Sequence, residues 1–109
     1  MNHLRNSVQL IGNLGADVEL RATTGGRPVA NARLATSDVY KNKDGEKITS
    51  VQWHDIVAWG KDAETLAQYG KKGKELAVSG RLVHRSYENQ AGDTRYVTEV
   101  VVREFMLLR

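Results

Sequence analysis

Two tryptophans, Trp53 and Trp59, stand six residues apart in a run that alternates between polar and apolar types. On an extended strand an even spacing places both rings on one face, roughly 20 Å apart at about 3.3 Å per residue. Asp55 shares their parity, while the opposite parity already supplies Ile56 and Ala58 for burial. The pattern therefore points at least one of the two rings outward, against the competing reading in which both are core tryptophans. Glu75 to Tyr87 sorts in the same way: Leu76, Val78 and Leu82 face inward, and Arg81, Arg85 and Tyr87 face outward with Ala77, Ser79 and Val83. A third aromatic, Tyr40, opens a polar segment that holds Lys41, Lys43 and Lys47. Each segment alone is also compatible with a solvated strand or loop that happens to carry an aromatic. Together they supply flat π surfaces and cations, which suits a ligand with unstacked bases on a polyanionic backbone, that is, single-stranded nucleic acid.

Residues for bond-making chemistry are not assembled in the same way. His3, His54 and His84 lie on different segments without metal-ligand spacing, and His54 and Asp55 are strand neighbours that point to opposite faces. His54 reads as a structural or interface residue. Gly12-Asn13-Leu14-Gly15 has two glycines but no following Lys-Ser/Thr, so it is a turn and not a phosphate-binding loop. Cysteine is absent, which removes thiolate ligands, thiol nucleophiles and disulfides together. The expectation is a binding protein with no catalytic residues, no metal and no cofactor.

The elements that must position these side chains follow from the same alternation. The strand-like runs are Leu4–Gly12, a short Val18–Ala22, Val29–Tyr40, Ile48–Trp59, Glu75–Tyr87 and Thr94–Leu108, with hairpin tips at Asp44-Gly45 and at Glu88–Asp93. Lys61 to Tyr69 is the one good helix candidate. Ala63, Leu66 and Ala67 form a narrow apolar stripe, and Gly70 and Gly73 end it. Phe105 and Leu107 read as core or interface. About three strands, a short helix and two further strands is the order of an all-β OB-fold, a five-stranded Greek-key barrel with one short helix between its third and fourth strands. At 109 residues the chain has room for one domain, and its net charge of +3 is compatible with a polyanionic partner without requiring one. Met1 to Ser7 is polar and no apolar run reaches the length of a membrane span, so a cytoplasmic protein is expected.

With these segments in view, the sequence resembles the bacterial single-stranded DNA-binding protein family from about Asn6 to Leu108. The stretches that carry the likeness are NSVQLIGNLGADVELR, VANARLATS, QWHDIVAWGKDAE, YGKKGKELAVSGRL and RYVTEVVV, in that order and spacing. The resemblance implies an OB barrel, a homotetramer around which single-stranded DNA wraps, a nucleoid-associated location in a bacterial cytoplasm, and service in DNA replication, recombination and repair. It places base stacking on Tyr40, Trp53, Trp59 and Tyr87, backbone contacts on Lys61, Lys72 and Arg85, and His54 near a subunit interface. Lys41, Lys43 and Arg81 complete the expected DNA-binding set. Val18 departs from the family's usual proline, and Val83 from a position that is often basic. The sequence ends at Arg109 without the family's linker and acidic C-terminal tail, so recruitment of replication and repair proteins through such a tail is not expected of it. A primosomal OB-fold accessory protein, acting mainly through protein–protein contacts, is the alternative within the fold. An OB-fold nuclease is the alternative among enzymes, and it would need clustered carboxylates and a metal.

Overall fold

A computed structural model describes residues 3–108; readings that concern Met1, Asn2 or Arg109 lie outside the described residues. After a short 3-10 turn, His3–Arg5, the chain forms β1 (Val8–Leu14), β2 (Glu19–Ala22), β3 (Pro28–Lys41), β4 (Lys47–Trp59), α1 (Lys61–Tyr69), β5 (Glu75–Glu88) and β6 (Thr94–Leu107). The helix has the bounds that its apolar stripe indicates. Ala63 and Leu66 are its buried residues, Asp62 and Glu64 favour its N-terminal end, and the Gly70 N–H donates to the Leu66 carbonyl at 2.6 Å to end it.

The strands follow the order β1-β5-β6-β4-β3-β2, and a further pairing of β1 with β3 closes the sheet into a barrel. That closure uses Asn13 opposite Ala35 and Leu14 opposite Leu34. All pairings are antiparallel except β4 with β6, where Asp55–Val57 lie beside Glu99–Val101. The five barrel strands are thus β1, β3, β4, β5 and β6, with α1 between the third and fourth of them, as the sequence indicates. The short β2 is an addition: it flanks β3 outside the barrel closure, and its four residues are exposed.

Leu34, Ile56, Leu66 and Leu76 are the largest fully buried side chains, and the core around them includes Leu14, Val18, Ala63, Val78, Val100 and Val102. The helix contributes Ala63 and Leu66 to that cluster, so it plugs one end of the barrel. On β6 the inward parity changes partway. Ser79 of β5 faces Glu104, but Gly80 faces Val102, which leaves Arg103 as an extra, bulged residue. Val100 and Val102 therefore point inward before the bulge, and Phe105 and Leu107 after it.

Several details differ from the sequence-based reading. β1 begins at Val8, with Leu4 in the 3-10 turn and exposed, and it runs on through Leu14, so Gly12 to Leu14, expected in a turn, pair with β5 and β3 instead. Leu82, expected in the core, is 37% exposed, because β5 has by then run past the barrel. β3–β4 and β5–β6 both extend as two-stranded arms, and both expected hairpin tips are present. The arms end in the same loop: Asn42 Oδ1 accepts from the N–H of Asp44 and Glu46, and Asn89 Oδ1 from the N–H of Ala91 and Asp93. These arms raise the radius of gyration to 15.9 Å, against about 13 Å for a compact chain of about 100 residues.

Candidate nucleic-acid interface

Register fixes which outward side chains meet. Directly paired residues share a face of a sheet. The β3–β4 pairing runs unbroken from Val29 opposite Trp59 to Lys41 opposite Lys47, and it places Ala35 beside Trp53 and Arg33 beside Asp55. Across the parallel junction Asp55 lies beside Glu99, and across β5–β6 Val83 lies beside Glu99, Arg81 beside Val101 and Tyr87 beside Arg95. One outer face spanning β3, β4, β6 and β5 therefore collects Trp53, Trp59, Arg81, Arg85 and Tyr87, which the sequence had placed on separate strands.

Each aromatic on this face has an arginine over its ring. The Arg33 guanidinium lies 5.2 Å from the centroid of Trp53, that of Arg27 lies 4.8 Å from Trp59, and that of Arg85 lies 6.0 Å from Tyr87. The attraction is electrostatic, between a cation and the negative face of a π system, and each contributes about 0.5–1 kcal/mol at an exposed site. It also limits the orientations open to the rings. Trp53 is 49% exposed and rests on Gly15, where a Cβ would stand 2.5 Å from Cζ3 of the indole. Only glycine leaves room for the ring to lie there. A groove beside it is lined by Gly15, Ala16, Asp17, Asn31, Arg33 and Asp55.

Two acids sit among these cations. Arg33 Nε is 3.5 Å from Asp55 Oδ1, an ion pair with both side chains more than half exposed. Arg85 Nε donates to Glu99 Oε1 at 2.8 Å, and Glu99 is only 8% exposed. The hydrogen bond and then the charge of Glu99 hold the Arg85 guanidinium above its ordinary range, against a smaller opposing effect of burial. Arg85, expected to meet phosphate, thus already has a protein partner.

The remaining expected residues are more scattered. Tyr40 is half exposed but pairs with Ile48, on the parity of Leu34 and His54, opposite to Trp53. Lys41 has the parity of Trp53 at the far end of the arm, and Lys43 is in the tip. Lys61 opens α1 one residue beyond Gly60, and Lys72 lies in the turn after the helix, where its backbone N–H donates to Asp17 Oδ1 at 2.8 Å. His54 is partly buried, with Nε2 2.9 Å from Thr36 Oγ1. Sequence reasoning missed Arg27, Arg33 and Glu99. The register that pairs Arg33 with Asp55 could have been counted back from the Asp44-Gly45 tip, but Glu99 needs the parallel β4–β6 contact, which no local signal gives. Tyr96, 82% exposed, was also missed; it pairs with Ser86 on the opposite side of its arm from Tyr87. Among the described residues no cluster of three or more His, Asp or Glu could hold a metal ion.

A closed five-stranded barrel with a short helix between its third and fourth strands is the OB-fold, here with an aromatic outer face on which each ring is met by an arginine. The profile of the single-strand binding protein family matches residues 5–108, and the chain belongs to that family. Among curated relatives it is 45% identical to single-stranded DNA-binding protein 1 of Chlorobaculum tepidum over 104 residues, covering 94% of this chain and 64% of the relative. It is 43% identical to the single-stranded DNA-binding protein of Rhizobium meliloti, covering 92% of this chain and 59% of the relative. The likeness to single-stranded DNA-binding protein 1 of Xylella fastidiosa is 39%, over 94% and 76% of the two chains. The chain thus spans about 60% of the length of the first two relatives. Among solved structures, the Plasmodium falciparum SSB complex with ssDNA superposes with a TM-score of 0.84 at 25% identity, over 95% of each chain. A deletion mutant of the single-stranded DNA binding protein from Thermus aquaticus gives 0.82 at 28% identity, over 95% of this chain and 50% of the other.

Proposed function

We propose that this chain is a single OB-fold domain that binds and protects single-stranded DNA without strong sequence preference, in replication, recombination and repair. It acts by stacking bases on aromatics and by drawing phosphates to cations, and it performs no chemistry on the DNA. The observation that carries this reading is the single outer face on which Trp53, Trp59 and Tyr87 each lie against a guanidinium. Stacking is indifferent to sequence because every base has a π face, and it contributes about 1–3 kcal/mol per base. Arg81 and Lys41 share the parity of that face, Lys43, Lys61 and Lys72 add cations elsewhere on the chain, and Tyr40 adds a stacking position on the arm. Family membership and the relatives' printed names agree with this reading, and their bacterial sources favour a cytoplasmic setting.

The same reading makes the protein a homotetramer, with His54 near a subunit contact. Support comes from a second region, where Ile11 and Met106 are 63% and 62% exposed beside Ala77. There β1 pairs with β5 from Val8 to Asn13 but with β3 only at Asn13 and Leu14. Most of one β1 edge is thus available to a second copy of the chain. The test is fluorescence anisotropy with labelled oligothymidine, competed by duplex DNA of the same length. The expected result is tight binding of the single strand that the duplex does not displace. Equal binding of both forms would overturn the reading, and a dimer with weak DNA binding would favour the primosomal accessory role.

A further inference from the structure

The proposed DNA face contains a row of charge that a simple cationic track would not have. From one side of the sheet to the other it runs Arg33 on β3, Asp55 on β4, Glu99 on β6 and Arg85 on β5, the last reaching diagonally from its register opposite Val97. The row is +, −, −, + and sums to zero. Its two carboxylates are direct neighbours across the parallel junction, an arrangement that like charges ordinarily disfavour. Each is answered by one arginine, at 3.5 Å for Asp55 and 2.8 Å for Glu99. Those are the arginines that lie over Trp53 and Tyr87.

We propose that Asp55 and Glu99 are positioning residues that hold Arg33 and Arg85 over their aromatic rings, so that single-stranded DNA must draw each arginine from a protein carboxylate to its own phosphate. The inference rests on the single-stranded DNA reading above. In the free protein the carboxylates hold the guanidiniums beside the rings, whose orientation they restrain. When a strand arrives, phosphate competes with carboxylate for the same donors. An arginine that stays partly committed to its carboxylate neutralises less phosphate charge and releases fewer counterions. The cost of this arrangement is affinity at low salt; the gain is a complex whose affinity changes less with salt than its arginine count would suggest. The two sites are graded. The Asp55 pair is exposed and loose, whereas Glu99 is buried and tightly bonded, so Glu99 restrains its arginine more strongly.

The experiment is the salt dependence of oligothymidine binding for the intact chain and for Glu99→Gln, Asp55→Asn and Glu64→Gln. Glu64→Gln removes one negative charge on α1, away from the row. Expected are tighter binding at low salt and a slope of log K against log salt that steepens by up to about 0.7 for Glu99→Gln, from about 0.7 per phosphate neutralised on a single strand. Asp55→Asn should give a smaller change of the same sign, and Glu64→Gln no change in slope. The effect should vanish when Arg85→Ala is combined with Glu99→Gln, and when Arg33→Ala is combined with Asp55→Asn. A purely structural role for Glu99 would lower the melting temperature and leave the slope unmoved, which would overturn the inference while the parent chain still binds. Because Asp55 is exposed, Asp55→Asn decides the matter if Glu99→Gln fails to fold. If the parent chain does not bind oligothymidine at all, the single-stranded DNA reading falls and this inference falls with it.

Discussion

The outside of this sheet presents two regions of opposite character. Across β3, β4, β6 and β5 it carries three aromatic rings, Trp53 and Tyr87 half exposed and Trp59 more buried, each covered by a guanidinium. Across β1 and the other halves of β5 and β6 it carries Gln9, Ile11, Ala77, Ser79, Glu104 and Met106, with neither an aromatic nor a cation among them. The same strands, β5 and β6, run through both regions. The bulge at Arg103 shifts the parity of β6 between them, so Val101 faces outward on one side and Glu104 and Met106 on the other. One continuous sheet therefore presents two chemically distinct surfaces, one that the proposed function gives to bases and phosphates and one that it gives to a second copy of the chain.

Substitutions can break or sharpen that contrast. The largest effect should come from the core that underlies both regions: Leu34→Ala, at a fully buried site, is expected to cost about 2–5 kcal/mol of folding stability, read by thermal or denaturant unfolding. Next, Trp53→Ala and Trp59→Ala should each weaken oligonucleotide binding by about 1–3 kcal/mol while circular dichroism and assembly mass stay unchanged. Ile11→Lys should do the reverse, lowering the mass in analytical ultracentrifugation while the shortest bound oligonucleotide still quenches tryptophan fluorescence. Gly15→Ala should reduce affinity several-fold by displacing the Trp53 ring, visible as a shift in its emission. The smallest difference separates two tyrosines. Tyr87→Ala should weaken binding more than Tyr40→Ala, because Tyr87 has an arginine beside it on the tryptophan face and Tyr40 lies on the opposite parity.

Period-two alternation was enough to find the strands and the outward parity of Trp53, Arg81, Arg85 and Tyr87, and the apolar stripe with its closing glycines was enough to find the helix bounds. These are properties of a single segment, so one segment's pattern encodes them. What escaped the pattern depends on contacts between segments. Leu82 alternates with true core residues, yet the barrel ends before it, and no residue near it in sequence marks that end. The arginine over Trp53 and the pairing of Asp55 with Glu99 arise from registers between strands, one of them a parallel junction between residues 44 positions apart, whereas Arg85 and Tyr87 are neighbours on one strand. Tyr40 shows the converse. Its residue type and its basic neighbours suit stacking, but the unbroken β3–β4 register turns it away from the tryptophans.

The central claim is that Trp53 and Trp59 are platforms for bases. Its most direct test is tryptophan fluorescence during titration of the chain with oligothymidine at low and moderate salt. The account predicts strong quenching that saturates at a defined ratio of nucleotides to protein and persists in part at moderate salt. An unchanged spectrum from folded protein, under conditions where anisotropy shows the oligonucleotide to be bound, would contradict it.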